Sequence, residues 1–197
     1  VKRWSLNNRI PRTTVGYHFF QKYSCKTSDD GLMHLFTKMP LIVLSLLYCG
    51  LSIFLFNEFG VKIVNDSHRY LEYASNLEDG FYFDKHNFWY FGYVLFIFIV
   101  QLIYKDPLAV IVAQYLLGFI ATLTLYKTSL LLFQDTRTAL ITAVSYMLFI
   151  EISCWNSYIL CESVYCSLTC ISLYFLASTH RQSQRFYIYI LAVLIVA

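Results

Sequence analysis

Two stretches of the chain combine residue types that can do acid–base or phosphate chemistry. The first is Val64-Asn65-Asp66-Ser67-His68-Arg69-Tyr70-Leu71-Glu72-Tyr73-Ala74, continuing through Asn76-Leu77-Glu78-Asp79-Gly80. Leu71, Ala74 and Leu77 recur at helical spacing and Gly80 is a C-terminal stop, so a helix starting at Asn65 or Asp66 is expected. Asp66, Arg69, Tyr70 and Tyr73 then fall near one face. An aspartate on such a face can serve as a catalytic base. The plainer alternative makes Asp66 the helix N-cap, accepting backbone N–H bonds.

The second stretch is Ser157-Tyr158-Ile159-Leu160-Cys161-Glu162-Ser163-Val164-Tyr165, which sets Glu162 between two apolar runs. A carboxylate at a membrane boundary is costly unless solvated, paired or used. Its plainer alternative is a helix N-terminal charge favoured by the macrodipole. Glu151 is either a buried partner or a second acid. Lys85 and His86 add cationic or hydrogen-bonding groups, although with Trp89 and Tyr90 that segment reads equally as an interfacial anchor. No glycine-rich phosphate loop, HExxH or nucleophile elbow is present, which removes nucleotide-driven transport and the common hydrolases from these residues.

Composition identifies the elements that must hold these groups. Of 197 residues, 58% are hydrophobic and only 14% charged, little more than half the roughly 25% usual in soluble domains. Mean hydropathy is +0.54, which excludes an ordinary cytosolic enzyme. Net charge is +3, concentrated in a basic arm at residues 1–39 with Lys2, Arg3, Arg9, Arg12, Lys22, Lys26 and Lys38. A basic arm before a long apolar run reads as a cytoplasmic N-terminus, and it lacks the aromatic interleaving of a nucleic-acid binder. The six cysteines sit mostly in apolar segments and behave as small hydrophobes; Cys166 and Cys170 have no histidine beside them to make a metal site.

Apolar segments at about 40–59, 88–104, 108–126, 138–156, 163–178 and 186–197 define a transmembrane region over 40–197. Topology turns on 88–104. If it crossed, Lys127, Arg137, Arg181 and Arg185 would fall outside; if it lies on or re-enters the outer leaflet, they fall inside, as the positive-inside rule prefers. The run is also short, about 25 Å of helix against a hydrocarbon core of about 30 Å. Being apolar on every side, it needs protein cover on its upper face. The expected fold is therefore all-α: a polytopic transmembrane helical bundle with interfacial helices in its first outer loop. That topology brings Asp66 and Glu162 to one membrane face. The last run, 186–197, reaches about 18 Å and cannot finish a crossing, so the chain is expected to be the front portion of a larger protein.

The order of these features resembles the GT-C membrane glycosyltransferases that use polyprenyl-phosphate sugars, the group of protein O-mannosyltransferases and bacterial aminoarabinose transferases. The resemblance covers about residues 40–180. It rests on a first crossing leading into Asn65-Asp66-Ser67-His68-Arg69-Tyr70-Leu71, a helix closing at Asp79-Gly80 and the Gly92-Tyr93 segment. It continues with a long crossing opened by Gln114, an alanine-bearing crossing at Ala139–Ala143 and Tyr158-Ile159-Leu160-Cys161-Glu162. The chain departs from many relatives in having no proline between 149 and 155. The lack of a second acid next to Asp66 favours the bacterial branch.

What the resemblance implies is an inverting transfer from a polyprenyl-phosphate donor to an acceptor hydroxyl, in a multi-pass protein of a bacterial inner membrane. Asp66 would be the base and Arg69, Lys85 and His86 would bind the donor phosphate. Glu162 would orient the acceptor or bind a divalent metal, on which the fold family varies. The rival expectation is a transporter or lipid flippase, which would want charges at mid-depth in the bilayer; Lys127 and Glu151 are its only candidates.

Overall fold

The computed structural model describes the backbone of residues 30–80 and 89–182, with side chains at 39–80 and 89–179. Lys85, His86, most of the basic arm and the 186–197 run lie outside the described residues. Compact packing divides the chain at Phe36/Thr37, and everything below concerns the unit that begins at Thr37.

The fold is an all-α bundle of a multi-pass membrane protein. Three helices are long and apolar enough to cross a bilayer, over Met39–Phe59, Pro107–Phe133 and Cys161–Thr179. They belong to α1 (Asp30–Phe59), α4 (Pro107–Phe133) and α7 (Cys161–Gln182). Between α1 and α4 stand α2 (Asn65–Asn76) and α3 (Phe91–Ile103). Between α4 and α7 come α5 (Thr136–Leu148) and the short α6 (Ile150–Trp155). Among the described residues the one strand-like feature is an isolated parallel bridge between Lys62 and Tyr158.

That bridge fixes the direction of the helices. The Lys62 N–H donates to the Ser157 carbonyl (2.9 Å) and the Ile159 N–H to the Lys62 carbonyl (3.2 Å). The connection leaving α1 therefore lies against the one entering α7. Phe56 and Val61 pack on the cluster of Val110, Ile111, Ile159 and Val164, so α4 also begins at this end. Leu44 and Tyr48, earlier in α1, pack instead with Tyr126, Ala139, Ala143 and Met147. Hence α1 and α4 run antiparallel, and the chain from 60 to 106 leaves and re-enters the bundle at one end. α3 does not traverse.

The cover that an all-round apolar α3 requires is supplied by α2. Tyr70 and Ala74 of α2 close over Tyr93, Val94 and Ile97 of α3, and both helices rest on the start of α4 and α7. Leu95, Ile99, Leu102 and Ile103 remain exposed on the other side of α3, as suits contact with lipid. Lys105, just past α3, pairs with Glu78 just past α2 (2.9 Å) and pins the two ends together.

The described charges separate along the bundle. Glu58, Asp66, Glu72, Glu78, Asp79, Asp106 and Glu162 lie toward the end that carries the bridge, against Lys62, Arg69 and Lys105. We refer to it as the acidic end. The α4–α5 turn at the opposite end has Lys127 and Arg137 around Asp135. There Gln134 adopts a left-handed conformation (φ 56°), and Asp135 caps α5 by accepting from the Arg137 and Thr138 N–H groups. Hydrogen bonds from the Thr138 hydroxyl and amide hold the Asp135 carboxyl below the ordinary carboxylate range.

The return from that turn differs from the unbroken 138–156 crossing expected from hydropathy. The helix stops at Leu148, Phe149 takes a non-helical ψ of 86°, and α6 makes less than two turns. No proline is needed for the break, because Ser153 Oγ captures the Met147 carbonyl (2.7 Å) and the Phe149 N–H bonds back to Ser145 and Tyr146. Freed backbone groups at membrane depth are tolerated when re-satisfied in this way.

Close helix approach is made by small residues, as expected where apolar burial gives no preference for protein over lipid. Gly118 of α4 is the clearest case. A Cβ there would lie 2.5 Å from the Tyr48 hydroxyl and 3.2 Å from the Asn156 amide nitrogen. With hydrogen in its place, the Tyr48 hydroxyl passes over the helix to donate to the Tyr115 carbonyl (2.9 Å).

The topology can be read by sided labelling. With accessible native thiols replaced, cysteines introduced at Lys62 and Lys105 are expected to react with an impermeant maleimide from the same side of the membrane. One at Arg137 should react only from the other. Labelling of Lys62 and Lys105 positions from opposite sides would mean that α3 crosses.

Candidate functional site

The site is assembled at the acidic end by one buried amide. Gln114, fully buried in α4, donates through Nε2 to the Tyr158 carbonyl (2.8 Å) and less closely to that of Trp155 (3.4 Å). Its Oε1 accepts from the Tyr93 hydroxyl of α3 (3.0 Å). Both ends of the amide are thus used, and α3, α4 and the connection before α7 meet at one side chain. One residue on, the Tyr115 hydroxyl shares a hydrogen bond with Ser157 Oγ (2.6 Å). Ser163 Oγ donates to Asn156 Oδ1, continuing the seam into α7.

Asp66 does not cap α2. The N-cap is Val64, whose N–H donates to Ser67 Oγ (3.0 Å). Ser67 has taken the local capping work, so the Asp66 carboxylate is turned to Arg69, 3.2 Å away, and remains more than half exposed. Arg69 is held from the other side by rings: its Cζ lies 5.4 Å from the Tyr70 centroid and 5.7 Å from that of Tyr90. Its Nε is buried without a hydrogen-bond partner. The guanidinium is thereby fixed by cation–π contact and one carboxylate.

Tyr70 carries the connection onward. Its ring meets Tyr93 edge-on at 5.1 Å and Tyr90 at 5.4 Å. Its hydroxyl faces the Cys161 thiol; burial first, then the neighbouring Cys161, pushes that hydroxyl above the ordinary phenol value. Cys161 Sγ lies 3.5 Å from Glu162 Oε2. The series Asp66–Arg69–Tyr70–Cys161–Glu162 therefore joins the two acidic positions, which the sequence separates by almost 100 residues.

Beside this series a groove of about 710 Å³ opens between α3 and α7. Its walls are chiefly apolar, including Leu95, Phe96, Ile99, Leu117, Val164 and Leu168, while Glu162 and Cys161 line it together with Trp89 and Tyr90. Asp66 and Arg69 are not among its lining residues; they approach it through Tyr70 and Tyr90.

Glu151, left open as partner or acid, is exposed on α6 and has no ion pair among the described residues. Lys127 is exposed within about 9 Å of the end of α4, near the interface and not at mid-depth. Among the described residues no three His, Cys, Asp or Glu side chains converge on a point where a metal could bind. Lys85 and His86 fall outside the described residues. The chain matches no family model, no curated protein and no solved structure.

Sequence reasoning placed Tyr70 on the Asp66–Arg69 face without giving it a role, missed Tyr93 and Cys161 as site-forming groups, and used Gln114 only as a landmark. A signal for Gln114 was available: a lone amide inside an apolar crossing must find partners or pay for burial. In unfolding measurements in detergent, Gln114→Leu is expected to cost about 1–3 kcal/mol, because it orphans the Tyr93 hydroxyl and two carbonyls. Tyr93→Phe, which removes one bond, should cost less. Equal stability of Gln114→Leu and the parent would contradict the joint described here.

Proposed function

We propose that this chain is part of an integral membrane glycosyltransferase that moves a sugar from a polyprenyl-phosphate donor to an acceptor hydroxyl at the outer membrane face, with inversion. The observation that carries this reading is the coincidence, at one end of the bundle, of an Asp–Arg pair, a second carboxylate and an apolar groove. A lipid-linked sugar phosphate presents the matching chemistry: an apolar chain, an anion and a carbon at which charge develops. The two non-crossing helices of the first connection agree with the GT-C resemblance. The excess of acids at this end and of bases at the other supports an outward-facing site with a cytoplasmic N-terminus, as in a bacterial inner membrane.

In this reading the prenyl chain occupies the α3–α7 groove and the phosphate meets Arg69. The phosphate competes with Asp66 for the guanidinium, so donor binding frees the carboxylate as the charge of the leaving group is met. The acceptor oxygen attacks the anomeric carbon while the bond from that carbon to the phosphate oxygen breaks. Asp66 takes the acceptor proton and polyprenyl phosphate departs with the bonding pair. The anomeric centre passes through an oxocarbenium-like state and inverts once. Glu162, at the groove, orients the acceptor. Transport is the weaker reading because the described charges it would need, Lys127 and Glu151, are exposed and neither is buried at mid-depth.

The complete protein, assayed for sugar transfer from defined polyprenyl-phosphate donors, should lose at least about a hundredfold in kcat on Asp66→Asn. The variant should still insert and bind donor lipid. Full transfer by Asp66→Asn would remove Asp66 as the base, and absence of transfer by the parent with every such donor would remove the reading.

A further inference from the structure

The contact series at the groove contains two side chains that the transfer chemistry above does not use, Tyr70 and Cys161. Glu162 needs them. It stands in the first turn of α7 with an exposed side chain, and among the described residues no cation forms an ion pair with it. Such a glutamate has several torsions free, and holding its carboxylate in one direction requires a partner that is itself fixed.

Tyr70 is fixed. It is 2% exposed, and the Tyr90 and Tyr93 rings and the Arg69 guanidinium all pack against it. The Cys161 side chain packs against the same buried cluster, beside the Tyr70 ring. From that packed position the Cys161 thiol donates to Glu162 Oε2, 3.5 Å away. The contact with the carboxylate thus starts from a side chain held against a buried cluster.

We propose that Tyr70 and Cys161 are positioning residues that aim the Glu162 carboxylate into the groove, tying it to the Asp66–Arg69 pair. The effect on rate rests on the transferase reading above. The positioning itself rests on the contacts alone.

Two measurements on the complete protein separate the two. In sugar transfer, Cys161→Ala lowers kcat roughly three- to tenfold, the rate equivalent of one modest hydrogen bond, with the donor KM unchanged. Cys161→Ser, which keeps a donor of similar size, restores most of the loss. In a Glu162→Gln background Cys161→Ala adds little, since the group it positions is already altered. Independently of activity, alkylation of Cys161 by a water-soluble maleimide, followed by mass spectrometry of its peptide, runs several-fold faster in Glu162→Gln than in the parent. The carboxylate no longer holds the thiol proton in that variant.

The proposal is overturned if Cys161→Ser is as slow as Cys161→Ala, if Cys161→Ala matches the parent, or if Glu162→Gln leaves the alkylation rate unchanged. If the parent transfers no sugar from any donor, the transferase reading fails and the alkylation rates alone decide the positioning.

Discussion

An amide buried in an apolar helix must have every donor and acceptor answered, because lipid offers none. Gln114 meets that constraint by bonding α3 through Tyr93 and the connection before α7 through the Trp155 and Tyr158 carbonyls. The arrangement at the acidic end depends on those bonds. Between helices in a membrane, dispersion and hydrogen bonding do the work that the hydrophobic effect does in water. A side chain that satisfies three elements at once therefore determines which surfaces meet. Moving Tyr158 would also move its bridge to Lys62, and with it the start of α2.

From that joint the site is a matter of reach. α2 is short and polar on one side, yet Tyr70 and Ala74 give it a foot on α3, which lets it carry Asp66 and Arg69 to the edge of the bundle. Ser67 takes over the capping of α2, leaving Asp66 free for an ion pair. α7 begins only two residues after Ile159, so Cys161 and Glu162 are delivered opposite Tyr70. The groove between α3 and α7 exists because α3 leans on α2 and α4 and leaves its flank open. Acid, cation and apolar slot are consequences of one packing solution.

Much of this could be read from the chain in advance, and the reasons are physical. Hydropathy located the long crossings because twenty apolar residues have few alternatives. Charge placement and the short length of 88–104 favoured a segment that does not cross, and the antiparallel α1 and α4 agree. Helical periodicity found α2 to within a few residues, although its regular turns end at Asn76 and not nearer Gly80. What could not be read was set by particular side-chain contacts, some of them local and some joining distant connections. The break at Phe149 comes from Ser153 reaching back to Met147, with no proline to announce it. The cap at Val64 and Ser67 displaced Asp66 from the commoner role of an N-terminal aspartate. Tyr70, Tyr93 and Cys161 have side chains of ordinary type whose meaning appears only when two connections meet.

The claim on which the account stands is that the connections after α1 and before α7 are joined at one end of the bundle. Paired cysteines at Lys62 and Tyr158, in a chain with its other thiols replaced and a protease site at the Gln134–Asp135 turn, report on it directly. Residues bridged in parallel fall within the Cα separation that a disulfide spans. Mild oxidation in membranes should leave the two proteolytic fragments linked until reductant is added. Fragments that separate without reductant, under conditions that link a neighbouring control pair within α1 and the α4 start, would contradict the account.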